Sequence, residues 1–188
     1  MAQLTNSTRT TVRPYRSRFA GSPPIWHLQE STLIAGASSN AIKYGDVVQF
    51  DVNVATAGHR LVRASTMANQ PNVVSTALVG IAAATPATST QSADAPGASF
   101  PVYLATPGTE FLFPTKVAGA SHLSSLVGSR RAIAYDSTDS FFYCDIGNST
   151  AGDATLIITE VIDPGTTNGL VAAKFVSTNT ARFVSAAF

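Results

Sequence analysis

Charge, cysteine, tryptophan and long apolar runs are all scarce in this chain of 188 residues, and each scarcity excludes something. A single cysteine, Cys144, leaves no internal disulfide framework and no cysteine-based zinc site, so stability must come from an apolar core or from assembly with partners. Cys144 itself is expected to be buried rather than reactive. Only 12% of residues are charged, and 12 basic groups against 11 acidic ones give a formal charge of +1. A phosphate backbone calls for a broad basic face, so this balance argues against direct nucleic-acid binding. No run reaches the roughly 18 apolar residues that span a bilayer, and the N-terminus lacks the apolar stretch of a secretory signal. The chain therefore reads as soluble, made in a cytoplasm, and one domain of ordinary size with or without a tail.

What is present is hydroxyl. The sequence holds 20 Ser and 22 Thr against 23 charged residues, so the surface must be built largely from Ser, Thr, Asn and Ala. The charges are also unevenly placed. Residues 1–29 contain Arg9, Arg13, Arg16 and Arg18 and no acid, whereas residues 30–188 hold 8 basic and 11 acidic groups. This divides the chain into an extended basic N-terminal arm, 1–29, and a mildly acidic body, 30–188. The arm is broken by Pro14, Pro23 and Pro24 and shows neither a period-2 nor a period-3.6 apolar pattern, so no packed structure of its own is expected there. Its aromatic residues, Tyr15, Phe19 and Trp26, are poorly suited to a solvated tail and suit a segment that becomes ordered along a partner.

From Tyr44 onward the pattern is that of short strands. In residues 45–54, Val48, Phe50, Val52 and Val54 alternate with Gln49, Asp51 and Asn53, which predicts a strand with one buried and one solvated face. Further strands are expected at 59–64, 73–83, 100–106, 109–113, 131–136, 140–145, 154–162, 170–176 and 181–188, with turn signals such as Pro107-Gly108, Asp163-Pro164-Gly165 and Asn168-Gly169 between them. About ten short strands with this punctuation predict an all-β fold, a single β-barrel or β-sandwich. The one expected helical piece is a single turn at 121–126, stopped by Gly128. The Ala- and Thr-rich stretch 82–98 reads as a long surface loop.

Chemistry is hard to find. There is no Gly-x-Ser-x-Gly elbow, no His-Glu-x-x-His, no phosphate loop and no dinucleotide fingerprint. The histidines His27, His59 and His122 sit in no motif; His27, beside Trp26, reads as a packing or docking residue, and the other two as solvent-facing. Asp136, Asp139 and Asp145 do not have the spacing, Gly or terminal Glu of a calcium loop, and read as two solvated turn carboxylates and one at a strand end. No cofactor, no metal and no enzymatic activity are expected. Arginine outnumbers lysine nine to three, and it is the residue favoured where a planar fork binds carboxylates or stacks on aromatics at an interface.

In order along the chain, Gly45-Asp46-Val47-Val48, Leu78-Val79-Gly80-Ile81-Ala82 and 102–111 (Val-Tyr-Leu-Ala-Thr-Pro-Gly-Thr-Glu-Phe), then 123–128, Phe141-Phe142-Tyr143, Leu156-Ile157-Ile158 and 165–171, make a series that resembles the small head decoration (cement) proteins of tailed bacteriophages. The similarity covers roughly residues 44–176; the loop 82–98 and the basic arm lie outside the pattern. The resemblance implies a non-enzymatic β protein of the virion. Such a protein binds the outer surface of an icosahedral head and stabilises it by bridging major capsid protein subunits. Its partners are the major capsid protein and neighbouring copies of itself, with no membrane involved. On that reading Arg9, Arg13, Arg16 and Arg18 pair with capsid carboxylates, and Tyr15, Phe19 and Trp26 fill apolar pockets. Phe183 and Phe188 are expected to pack into the body or a neighbouring copy.

Two other classes share the composition. A tail or fibre component would carry repeats or a trimeric stalk, which are not evident. A carbohydrate-binding β-sandwich would need a cleft with solvent-facing aromatics and a carboxylate pair, and the only tryptophan lies in the arm.

Overall fold

Two β assemblies share one wall. The computed structural model describes residues 11–17, 23–30, 42–50, 60–63, 78–85, 99–116, 124–136, 139–149, 154–162 and 169–176. These form eleven strands: β1 (Arg13–Ser17), β2 (Ile25–Glu30), β3 (Val47–Phe50), β4 (Arg60–Arg63), β5 (Leu78–Ala82), β6 (Ser99–Leu104), β7 (Thr109–Pro114), β8 (Arg130–Asp136), β9 (Phe141–Asp145), β10 (Leu156–Val161) and β11 (Leu170–Phe175). The pairings β2–β4–β3–β5–β6 close on themselves, and the remaining strands make a six-stranded sheet in the order β1–β7–β11–β10–β8–β9. Every pairing is antiparallel except β2 with β4. A bridge from Thr115, just past β7, to Cys144 of β9 curls the six-stranded sheet on itself. The class is all-β, with the ring and the sheet packed in a sandwich-like arrangement.

Alternation along the shared strands shows how the two assemblies meet. Val48, Val79, Ala82, Phe100, Val102 and Leu104 form one buried cluster, which fills the ring. Their neighbours Val47, Leu78 and Ile81 belong to the other cluster, with Phe111, Phe113, Ile133, Leu156, Ile158, Val171 and Phe175 of the sheet, and Tyr103 packs against it. Successive strand residues point to opposite faces, so β3, β5 and β6 are lined with apolar groups on both sides. A bulge at Val79 of β5, opposite the step from Val48 to Gln49, shifts the phase so that Leu78 and Ile81 both face the larger cluster. A strand buried on both faces reads as a continuous apolar run, which is how Leu-Val-Gly-Ile-Ala comes to be contiguous.

That wall corrects the reading of β3. Val47, Val48 and Gln49 are all buried, so the strand does not present a solvated face at Gln49, because a second layer covers it. Residues 51–54 lie outside the described residues.

The second correction concerns the arm. Residues 13–17 pair with β7, and residues 25–30 pair with β6 and β4, so both pieces are strands of the body, and the boundary at 29/30 falls inside β2. β1 is an edge strand, which backbone hydrogen bonds hold without apolar alternation, so its pattern gave no sign of it. The expected strands elsewhere are present within a few residues of their expected ends, apart from 73–77 and 181–188, which lie outside the described residues. The helical turn is a short 3-10 turn at Ser124–Leu126, followed by Gly128 at φ +82°.

Candidate functional site

Among the described residues, two surface features combine exposure with chemistry: the N-terminal strands, and a cleft beside the β8–β9 hairpin.

In β1, Pro14 pairs with Phe111 and Arg16 with Glu110, leaving Tyr15 as the extra residue of a bulge. A bulge re-aims side chains, and both Tyr15 and Arg16 converge on Glu160 of β10. Arg16 Nη2 donates to Glu160 Oε2 at 2.5 Å and to the Tyr15 hydroxyl at 2.9 Å, while the Tyr15 hydroxyl donates to Glu160 at 3.4 Å. The Arg16 guanidinium also lies 4.4 Å from the Tyr15 ring centroid. The hydrogen bond with Tyr15, and then the charge of Glu160, raise the Arg16 pKa above its ordinary value. The arm contains no acid of its own; the acid that Arg16 pairs with comes from the body.

At the start of β2 the situation is different. Ile25 is 43% exposed and Trp26 47%, and His27 is exposed beside them. Adjacent strand residues project to opposite faces, so exposure of both means that this end of β2 stands proud at the rim of the ring. Ile25 is opposite Tyr103 and Trp26 opposite Val102, and the Pro24 carbonyl accepts from Leu104 N, which anchors the strand's entry. Of the proposed arm contacts, Arg13, Tyr15, Arg16 and Trp26 are thus placed on strands, the first three on β1 and the last on β2. Arg9, Arg18 and Phe19 lie outside the described residues, as do His59, His122, Phe183 and Phe188.

The cleft has a volume of about 190 Å³ and forms where the turn before β3 meets the hairpin between β8 and β9. Lys43, Tyr44 and Asp46 line one side, Asp139, Ser140 and Phe141 the other. The first turn is held by Asp46, whose Oδ2 accepts from Lys43 N at 2.8 Å, and by Gly45 at φ +86°. A Cβ on Gly45 would meet Thr11 Cγ2 at 2.3 Å, so this position needs both glycine's conformation and its lack of a side chain. Tyr44 projects into solvent, 47% exposed, while its backbone N donates to Thr85. Across the cleft Ser140 adopts φ 58°, the left-handed conformation a tight hairpin imposes on a non-glycine residue.

Asp136, below this hairpin, is buried and ion-paired with Lys116, and its Oδ1 accepts from Asp139 N. It is therefore not a solvated turn carboxylate, because the curl of the sheet brings Lys116 over it. Asp139 is exposed, and Asp145 caps its own turn through Gly147 N. The bond with Asp136 raises the Lys116 pKa. Cys144 is fully buried, and burial pushes its thiol up to about 12, which leaves it a poor nucleophile.

Sequence reasoning missed the cleft. Each half is visible as a turn signal, Tyr44-Gly45-Asp46 and Asp139-Ser140, yet nothing local says that two turns so far apart in sequence face each other. No family model, curated protein or solved structure matches the chain.

Proposed function

We propose that the protein is a non-enzymatic decoration (cement) protein that binds the outer surface of an icosahedral phage head and bridges its major capsid protein subunits. The observation that carries this reading is the exposed Ile25–Trp26 pair on the rim of the ring. A tryptophan and an isoleucine side by side, half exposed on both faces of one strand, are costly in water and suited to filling apolar pockets on a partner. The resemblance of the strand-and-turn series to decoration proteins supports the same reading, as does the hydroxyl-rich composition, which fits extended contact better than a charged ligand. In this arrangement Trp26 is the anchor, Tyr15 and Arg16 hold β1 to the body through Glu160, and Arg9, Arg13, Arg18 and Phe19 extend the contact. Aromatic anchors commonly dominate such interfaces at about 2 kcal/mol or more each, and many copies on one shell multiply a modest affinity.

Because β1 is a strand of the body, deleting the N-terminal segment would disturb the fold together with any contact it makes. Point variants are cleaner. Trp26→Ala and Ile25→Ser, mixed with empty heads and sedimented, are expected to show clearly reduced occupancy at a concentration where the wild type saturates. Unchanged occupancy in both variants, or no binding by the wild type, would overturn the proposal. Co-sedimentation with isolated tails instead of heads would favour a tail component.

A further inference from the structure

We infer that the cleft between the turn at 43–46 and the β8–β9 hairpin binds a neutral carbohydrate, taking one sugar unit of a glycan. The argument begins with what the walls offer. A sugar ring presents apolar C–H faces and a rim of hydroxyls, so its site needs an aromatic surface flanked by strong hydrogen-bonding groups. Tyr44 is 47% exposed at the cleft mouth, and Phe141 lies on the opposite wall. The Phe141 ring is tilted against Tyr143 at a centroid separation of 6.0 Å, which fixes its orientation. Lys43, Asp139 and Ser140, all exposed, line the same cleft, while Asp46 is buried and its Oδ2 accepts from Lys43 N. Carboxylates accept from sugar hydroxyls, the ammonium donates to them, and hydrogen bonds to charged groups are about twice as strong as neutral ones.

Other ligand classes fit less well. A volume of about 190 Å³ has room for a single ring and not for an extended polymer segment. The lining is too polar for an apolar drug-like molecule, whose sites are mostly hydrophobic. An anion would meet two carboxylates. A metal ion would meet an ammonium beside them, and Asp46 Oδ2 already accepts from Lys43 N. A neutral polyol meets no repulsion and uses both donors and acceptors. The backbone is also set before any ligand arrives: Gly45 at φ +86° and Ser140 at φ 58° hold the two turns, so little ordering remains to be done on binding.

This site is separate from the Ile25–Trp26 rim, so it stands or falls independently of shell binding. The test is a titration of the full-length 15N-labelled chain with methyl glucoside, methyl mannoside, methyl galactoside and N-acetylglucosamine, with calcium chloride as the competing ligand. At least one sugar is expected to shift amides in 43–46 and 139–142 with millimolar affinity. Tyr44→Ala and Asp139→Ala, both on exposed residues and checked for an unchanged spectrum elsewhere, are each expected to weaken binding about tenfold. Absence of shifts with all four sugars would overturn the proposal. So would shifts that persist unchanged in both variants, or shifts caused by calcium and not by sugars.

Discussion

The Arg16 guanidinium meets the Glu160 carboxylate at 2.5 Å, although their strands, β1 and β10, are separated in the sheet by β7 and β11. Two irregularities make the reach possible. A bulge at Tyr15 aims Arg16 across the exposed face of the sheet, and a bulge at Thr159 turns Glu160 to meet it, with the Thr159 hydroxyl satisfied by the Ala172 carbonyl. The result is a strap across the sheet that fastens the N-terminal edge strand to the body. The charge asymmetry that marks the first 29 residues as an arm therefore has, at Arg16, an intramolecular use.

Arg16→Ala should act locally. The two side chains are 57% and 38% exposed, and exposed pairs contribute little to global stability. The melting temperature is expected to stay within error of the wild type. Amides of 13–17 should exchange with solvent several-fold faster, because the strand loses its strap while keeping its ladder. Hydrogen exchange read by mass spectrometry checks this; unchanged protection of β1 would show that the backbone pairing alone holds it.

Gly80→Ala should be among the most damaging single changes in the ring. A Cβ at Gly80 would stand 1.9 Å from the Tyr103 carbonyl oxygen and 3.0 Å from its carbonyl carbon. Both are backbone atoms, in a strand buried on both faces, so neither β5 nor β6 can yield cheaply. A loss of about 3 kcal/mol is expected, in line with overpacking of a tight interior, measured as a lower urea midpoint at unchanged m-value.

Gln49→Met should stabilise the protein. Gln49 is 1% exposed, and its Nε2 has no hydrogen-bond partner among the described residues. An unsatisfied buried amide costs about 1–3 kcal/mol, and methionine has a similar shape without the polar group. A gain of about 1 kcal/mol is expected in equilibrium unfolding. A loss would show that the amide has a role in the wall that packing does not reveal.

How much of this was legible depends on where each signal resides. The strands from β5 to β11 were readable because turn residues such as Pro107-Gly108 bracket compact runs of β-branched and aromatic side chains. Gln49 was misread because the alternation of β3 is the same whether its second face meets water or another sheet, and only tertiary packing decides that. The sequence Arg-Pro-Tyr-Arg-Ser of β1 was unreadable as a strand because proline and charge are what a blunted edge carries. Trp26 stands out in the sequence as the only tryptophan, while its position on a ring strand came from the pairing with β6. The facing turns of the cleft are a long-range fact with no local trace.

Ser140 tests the strain in the hairpin. At φ 58° a residue with a Cβ is disfavoured, by about 1–2 kcal/mol, relative to glycine. Ser140→Gly is expected to leave stability unchanged or raise it by up to about 1 kcal/mol, part of the relief being offset by the extra freedom of glycine in the unfolded chain. Ser140→Val, β-branched at the same φ, should cost more than either. Thermal unfolding of the three proteins at one pH ranks them, and a valine variant as stable as the glycine one would mean the turn relaxes.

Cys144 sets an alkaline limit. Burial raises its thiol from an ordinary value near 9 to about 12, with the nearby Arg131 charge pulling weakly the other way. The folded chain therefore keeps the proton over a range in which the unfolded chain has lost it. The sign follows: the contribution is complete below pH 9 and falls away as pH rises from about 9 to 12. Urea midpoints measured from pH 8 to 11 should fall more steeply for the wild type than for Cys144→Ala, even though the alanine variant starts lower through the volume it loses. Tyrosine and lysine ionisation is common to both proteins and cancels in the comparison. Parallel slopes would mean that the thiol reaches solvent before the fold is lost.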